Sequence, residues 1–152
     1  MGATVVTNTD SQLHVDYDVA KIFLGKNRYA TGTYTNGTGA SVTLAAGTLL
    51  GRVSADELLL PLVSGAVDDS NIPLGILSHT VTVANGATKN LTFAVEGDIA
   101  QELVIFQGSD DYATVVAERT LRDRIGADTV GIKLVSTTEN TIFDNQSIKL
   151  LR

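Results

Sequence analysis

Residues 72–98 read IPLGILSHTVTVANGATKNLTFAVEGD, and their periodicity decides the fold. His79, Val81 and Val83 fall on one side of an extended chain, Ser78, Thr80 and Thr82 on the other, which is the two-residue period of a half-buried strand. Asn85-Gly86 supplies the positive-φ residues of a tight turn. Beyond it Leu91, Phe93 and Val95 form an inward stripe opposite Thr92, Ala94 and Glu96. The stretch therefore predicts two neighbouring strands joined at Asn85-Gly86. It also places His79 near two carboxylates, Glu96 and Asp98, so an active site has to be weighed against a plain strand pair.

The same texture extends in both directions. Upstream, Val15, Tyr17 and Val19 alternate with Asp16 and Asp18 in a strand from Leu13 that continues into KIFLG. The chain turns near Gly25 to Asn27 and returns through RYATGTY to Asn36-Gly37, a second hairpin signal. Val42 and Leu44 lead to a turn at Ala46-Gly47. TLLGRV follows, Asp56-Glu57 reverses the chain, and LLLPL comes back, with Pro61 marking a sheet edge because it lacks an amide donor. SGAVDDSN reads as a surface loop and ELVIF, residues 102–106, as an apolar continuation.

Downstream a helix is predicted from Asp110 to Gly126, capped by Asp110 or Asp111, stopped by Gly126 and supported by a Glu118–Arg122 pair. Its apolar residues split. Ala117, Leu121 and Ile125 share one face, and Tyr112, Val115 and Val116 lie nearly opposite. Either the first turn is not helical or the helix is buried on two sides, as at a subunit interface. TVGIKLV and QSIKLLR close the chain as strands. Residues 1–12 are polar except for Val5-Val6 and read as an arm ordered only where something holds it. The expectation is a mainly β chain with one or two short helices, a small barrel or sandwich over residues 13–152, and an extended N-terminal arm over 1–12.

Composition narrows the chemistry. No apolar run approaches the ~18 residues that cross a bilayer, so no membrane partner is expected. The chain has no cysteine, which removes disulfides, thiolate catalysis and iron–sulfur ligation. Residues 41–106 carry two basic against seven acidic side chains, an acidic body unsuited to nucleic acid. Arg119, Arg122 and Arg124 are interleaved with Asp123 and preceded by Glu118, the pattern of a solvated helix face.

His14 and His79 each lack a second ligand at zinc spacing, so no metal and no cofactor is expected. Glu96 and Asp98 could pair on one strand face, but without a nearby Lys, His or third carboxylate they read as the polar end of a strand broken by Gly97. DDSN, residues 68–71, lacks the spaced ligands of a calcium loop and reads as a turn. Phosphate-loop, dinucleotide and nucleophile-elbow motifs are missing, and no catalytic residues are assigned. Comparison with the dUTP pyrophosphatases fails at Asp111-Tyr112, which falls at a helix start, and at the glycine-free FDNQSIKLLR. A carbohydrate-binding β module is the alternative. It would have to stack sugars on Tyr17, Tyr29, Tyr34 or Tyr112 without any tryptophan.

One resemblance goes further. AGTLLGRVSADELLLPL, an acidic loop, IPLGILSHTVTV, LTFAVEGDIAQELVIF, RTLRDRIG and VGIKL follow one another across residues 46–134. This order is similar to the lambda-type head decoration proteins of tailed bacteriophages, with Thr48–Val53, Leu74–Leu77, Val95–Ile99 and Gly131–Leu134 in the places of the family's short motifs. Residues 13–45 are read as additional hairpins and 135–152 as a C-terminal extension. The resemblance implies a non-enzymatic virion protein made in the bacterial host cytoplasm. It implies a homotrimer on the outer surface of an expanded capsid, bound to the major capsid protein and holding the shell against DNA pressure. Val5, Val6, Leu13 and Val15 are then the expected capsid-binding residues. Val115, Val116 and Leu121 are the expected core and trimer-interface residues of the helix.

Overall fold

In the computed structural model, which describes residues 21–137, the alternating residues after Gly86 form one 13-residue strand, β7 (Thr88–Ala100), and the main sheet is built around it. β1 (Arg28–Thr35) runs antiparallel along one edge, with Arg28 opposite Glu96 and Thr35 opposite Thr88. The other edge is shared. β5 (Gly75–Leu77) pairs antiparallel at Phe93 and Ala94, and β10 (Gly131–Val135) runs parallel to Glu96–Ala100. β3 (Leu49–Arg52) joins β5 to the edge strand β4 (Leu59–Pro61), so the order is β1-β7-β5-β3-β4. Two small ribbons flank it, β2 (Val42–Leu44) with β6 (Val81–Val83), and β8 (Val115–Val116) with β9 (Arg119–Thr120). Helix α1 spans Leu121–Asp128, and a single 3-10 turn occupies Gln101–Leu103.

Both faces of the sheet are covered, which explains why β3 and β5 are apolar at consecutive positions. Leu49, Ile76, Ala94 and Ile99 pack with Leu121 and Ile125 of α1 on one face. Leu50, Leu77, Leu91, Phe93 and Val95 pack with Tyr34, Leu44, Leu59 and Val83 on the other. Alternation thus survives inside an unbroken apolar run, each residue serving the core opposite to its neighbour's. Each fully buried Leu or Ile contributes about 1.5–3 kcal/mol. The sheet curls until Leu59 of β4 touches Gly32 of β1, where a Cβ would fall 2.8 Å from its Cδ1. Among the described residues no ladder joins β1 to β4, so the architecture is a curled sheet rather than a closed barrel.

Several expectations hold. β3 and β4 form a hairpin, Pro61 lies on the sheet edge, and the strand at VGIKLV forms as β10. The loop at 64–71 also forms. It lies on β3 so closely that a Cβ at Gly51 would sit 1.9 Å from the Ser70 carbonyl oxygen, which fixes that position as glycine.

Others are corrected. Lys21 and Ile22 are helical and Phe23 makes only an isolated bridge to Ile99, so KIFLG is not the end of a strand. The apolar continuation at ELVIF begins within the 3-10 turn and makes a lone bridge from Ile105 to Thr48. Neither Asn-Gly pair makes the expected hairpin: β1 pairs with β7 rather than β2, and β6 pairs with β2 rather than β7. The helix is shorter than expected and starts later. Residues 115–120 form a hairpin whose turn residues Ala117 and Glu118 have φ of 47° and 69°, and Thr120 is the N-cap. Val115 and Val116 therefore belong to a strand, the Glu118–Arg122 helical pair does not exist, and α1 passes through Gly126 to Asp128. The two-faced apolar pattern arose because its first half is not helical. The strand expected at QSIKLLR lies outside the described residues.

Candidate functional site

His79, Glu96 and Asp98 do not converge. The His79 ring is exposed and its Nδ1 lies 2.7 Å from Ser78 Oγ, while that hydroxyl donates to the Thr92 carbonyl at 2.7 Å. With its proton committed there, Ser78 Oγ accepts from the Nδ1–H, so the imidazole is not placed as a base for the serine. Glu96 Oε2 meets Arg28 Nη1 at 3.3 Å in an exposed pair worth about 0–1 kcal/mol. Between the two carboxylates Gly97 takes φ 115°, and a Cβ there would fall 2.5 Å from Asn27 Nδ2. Asn27 spans the kink, donating towards the carbonyls of Glu96 and Asp98 at 3.4 and 3.3 Å. On this side β7 pairs with β5 at Phe93 and Ala94 and with β10 from Glu96 to Ala100. Among the described residues no group of three or more His, Asp or Glu could hold a metal ion.

The 68–71 loop is a turn. Asp68 Oδ1 accepts from Ser70 N at 3.1 Å and Ser70 Oγ at 2.5 Å, and these bonds hold its pKa below the ordinary range. At the base of this loop Ser64 N and Oγ donate to the two carboxylate oxygens of Asp110, at 2.8 and 2.7 Å.

Asn36, expected only as half of a turn signal, has a different role. Asn36 is fully buried. Its Nδ2 donates to the carbonyls of Ala40 and Val83 at 2.7 and 2.8 Å, and its Oδ1 accepts from Thr38 N and Oγ1 at 3.0 and 2.8 Å. Its backbone exchanges bonds with the other Asn-Gly loop, Asn36 N donating to Ala87 O and Gly86 N to Asn36 O. Asn85 Oδ1 in turn accepts from Gly39 N at 3.0 Å. The two turn signals thus lock each other.

At the opposite end of β7, α1 is seated by side chains. Thr120 Oγ1 accepts from Asp123 N at 3.2 Å. The Arg122 guanidinium lies 5.5 Å from the centroid of the Tyr112 ring and donates to Gln101 Oε1 at 2.7 Å. Tyr112 OH donates to Gln101 O at 2.6 Å, and burial, partly offset by Arg122, pushes its pKa well above the ordinary phenol value. Arg124 donates to Val116 O at 2.7 Å and pairs with Asp128 at 2.8 Å. Two of the three arginines of the basic run are therefore engaged within the fold.

The expected capsid-binding residues Val5, Val6, Leu13 and Val15 lie outside the described residues. Val116 and Leu121 are buried in the α1-side core, whereas Val115 projects from β8 with 61% of its surface exposed. Other exposed apolar side chains include Val63, Val67, Leu103 and Ile105. Val63 and Ile105 help line a groove of ≈ 490 Å³ beside β4. Beside Ile105, the Glu102 carboxylate accepts from Ser136 Oγ at 2.7 Å and from Thr137 N and Oγ1 at 3.3 and 3.2 Å. Desolvation opposes its ionisation, but these bonds outweigh it and hold the pKa at about 2.

The surface these residues build is one of apolar side chains, turns and internally satisfied polar groups, suited to contact with other proteins. Comparison with curated proteins returns no match. The family model described as bacteriophage lambda head decoration protein D matches residues 17–124, a span from before β1 to the middle of α1. With most of its length inside that match, the chain belongs to the bacteriophage lambda head decoration protein D family.

Proposed function

We propose that this protein binds the outer surface of the expanded phage head as a homotrimer and stabilises the shell against the pressure of packaged DNA. Membership of the decoration family carries this reading, since it makes the chain a structural component of the phage capsid. Its mechanism is linkage. A ligand that binds only the expanded shell lowers the free energy of that state in proportion to occupancy, and three arms on one trimer multiply the affinity of a single arm. The protein acts by binding and catalyses no reaction. Its direct partner is the major capsid protein rather than DNA.

Residues 1–12 form the capsid-binding arm, with Val5 and Val6 as its apolar anchors and Leu13 and Val15 continuing the contact by strand addition. The described residues support this by where the chain enters them. Phe23 bridges to Ile99, and Leu24 N donates to Asp98 O at 2.9 Å, so the chain is fastened to the main sheet at the start of the described residues. Of the three residues assigned to subunit packing, Val115 has the side chain free to meet a neighbour, while Val116 and Leu121 complete the protomer's own core.

Sedimentation of the pure protein, followed by mixing with expanded empty capsids, tests the proposal. Deleting residues 2–12 should leave the protein trimeric and reduce capsid binding at least tenfold. Full binding by the truncated protein would sink the role of the arm. A monomeric mass for the full chain would sink the trimer.

A further inference from the structure

The groove beside β4 is bounded by Tyr34, Val42, Leu44, Leu60, Pro61 and Ile105. It lies against the edge strand of the main sheet, and Val63 on its wall is 49% exposed. Apolar surface beside a sheet edge promotes association unless something covers it.

The chain itself leads a segment to this place. Thr137, the last described residue, is tied through its N and Oγ1 to Glu102, three residues before Ile105 on the groove wall. The segment that follows, residues 138–152, reads TENTIFDNQSIKLLR. Ile148 and Leu150 share one side of a two-residue period. No charged side chain lines the groove, so an apolar pair is what it accepts, and in this period Lys149 falls on the side away from it. From Thr137 to Gln146 an extended chain reaches about 30 Å, enough to cross the groove.

We propose that residues 146–151 of the same chain occupy this groove, with Ile148 and Leu150 against Leu60, Pro61 and Ile105. The docked segment covers the edge of β4 and blocks the pairing of one sheet edge with another.

The chain has no cysteine, so paired cysteines report the contact without background. In the full-length protein, Val63→Cys with Leu150→Cys should oxidise to an intramolecular disulfide, seen as a monomer of raised mobility on a non-reducing gel. Val67→Cys with Leu150→Cys, using the fully exposed tip of the neighbouring loop, should oxidise at least tenfold less. Deleting residues 138–152 should raise amide exchange at residues 60–63 and 105–107. Should that deletion prevent folding, the cysteine pair still decides. Equal oxidation of the two pairs overturns the proposal. A covalent dimer overturns it in favour of a second copy's segment. Exchange that rises on deleting residues 2–20 instead overturns it in favour of the arm.

Discussion

At the scale of single residues, stability concentrates in polar groups whose every bond is internal. Asn36 is the clearest case, because replacing it by leucine removes both donors from the Ala40 and Val83 carbonyls and the acceptor from Thr38. The Ala40 carbonyl keeps the Thr38 hydroxyl as a donor, so the loss falls on the Val83 carbonyl, and a buried carbonyl stripped of its donor costs about 1–3 kcal/mol. Asn36→Leu should therefore lower the urea midpoint with little change in slope, by the equivalent of at least about 1 kcal/mol. A loss under ~0.5 kcal/mol, the ordinary range of a neutral surface change, would contradict its role.

Glu102 makes a pH-dependent contribution. Its folded pKa of about 2 lies below its ordinary 4.5, so its stabilisation is complete above pH 4.5 and is lost as the pH falls through about 2. The side chain is exposed, so solvent screening limits the effect to about 1 kcal/mol or less. Glu102→Gln should melt below wild type at pH 6, and the gap should close as the pH is lowered from 4.5 towards 2. A gap independent of pH would mean that the carboxylate's charge is not what holds Ser136 and Thr137.

Among the secondary-structure elements, strands were legible wherever alternation was strong. β1, β3, β4, β7 and β10 lie where the periodicity placed them. Their partners were not legible. The pairing of β1 with β7 and of β2 with β6 joins segments about 40–70 residues apart. Local turn chemistry says where a chain bends, not which strand awaits it. Asn36-Gly37 misled for this reason, its asparagine being spent on a distant carbonyl at Val83. The helix start was expected at Asp110 or Asp111, yet the signal for its true place is in the sequence. Thr120-Leu121-Arg122-Asp123 has the spacing of a capping box, and the Thr120 hydroxyl does accept from Asp123 N. A helix of eight residues is marginal without its cap. Thr120→Ala should cost about 1 kcal/mol, or roughly 2–4 °C in melting temperature by calorimetry. No change would assign the start of α1 to the burial of Leu121 and Ile125 alone.

For the whole molecule, the function was legible only through the family's short motifs, and the structure gives two of them physical content. The glycine of Val95–Ile99 takes a positive φ and admits Asn27 against the strand, and the glycine of Thr48–Val53 admits the Ser70 carbonyl. The surfaces that would meet a shell could not be deduced from chemistry, because such contacts use ordinary aliphatic side chains that carry no distinctive signature. The polar groups that drew attention in the sequence have ordinary partners: Glu96 pairs with Arg28, and His79 bonds the Ser78 hydroxyl, which is itself committed to the Thr92 carbonyl.

The antiparallel pairing of β1 with β7 has a mechanical side. A pull at Lys21 directed along the strand axis would first meet the Leu24–Asp98 bond and then load the eight residue pairs from Arg28–Glu96 to Thr35–Thr88 together, in shear. Shear strains every rung of a ladder at once, whereas a perpendicular pull opens it one rung at a time. If the arm is the tether, the subunit is strung so that tension from a swelling shell runs along its longest seam, the direction in which a sheet yields last.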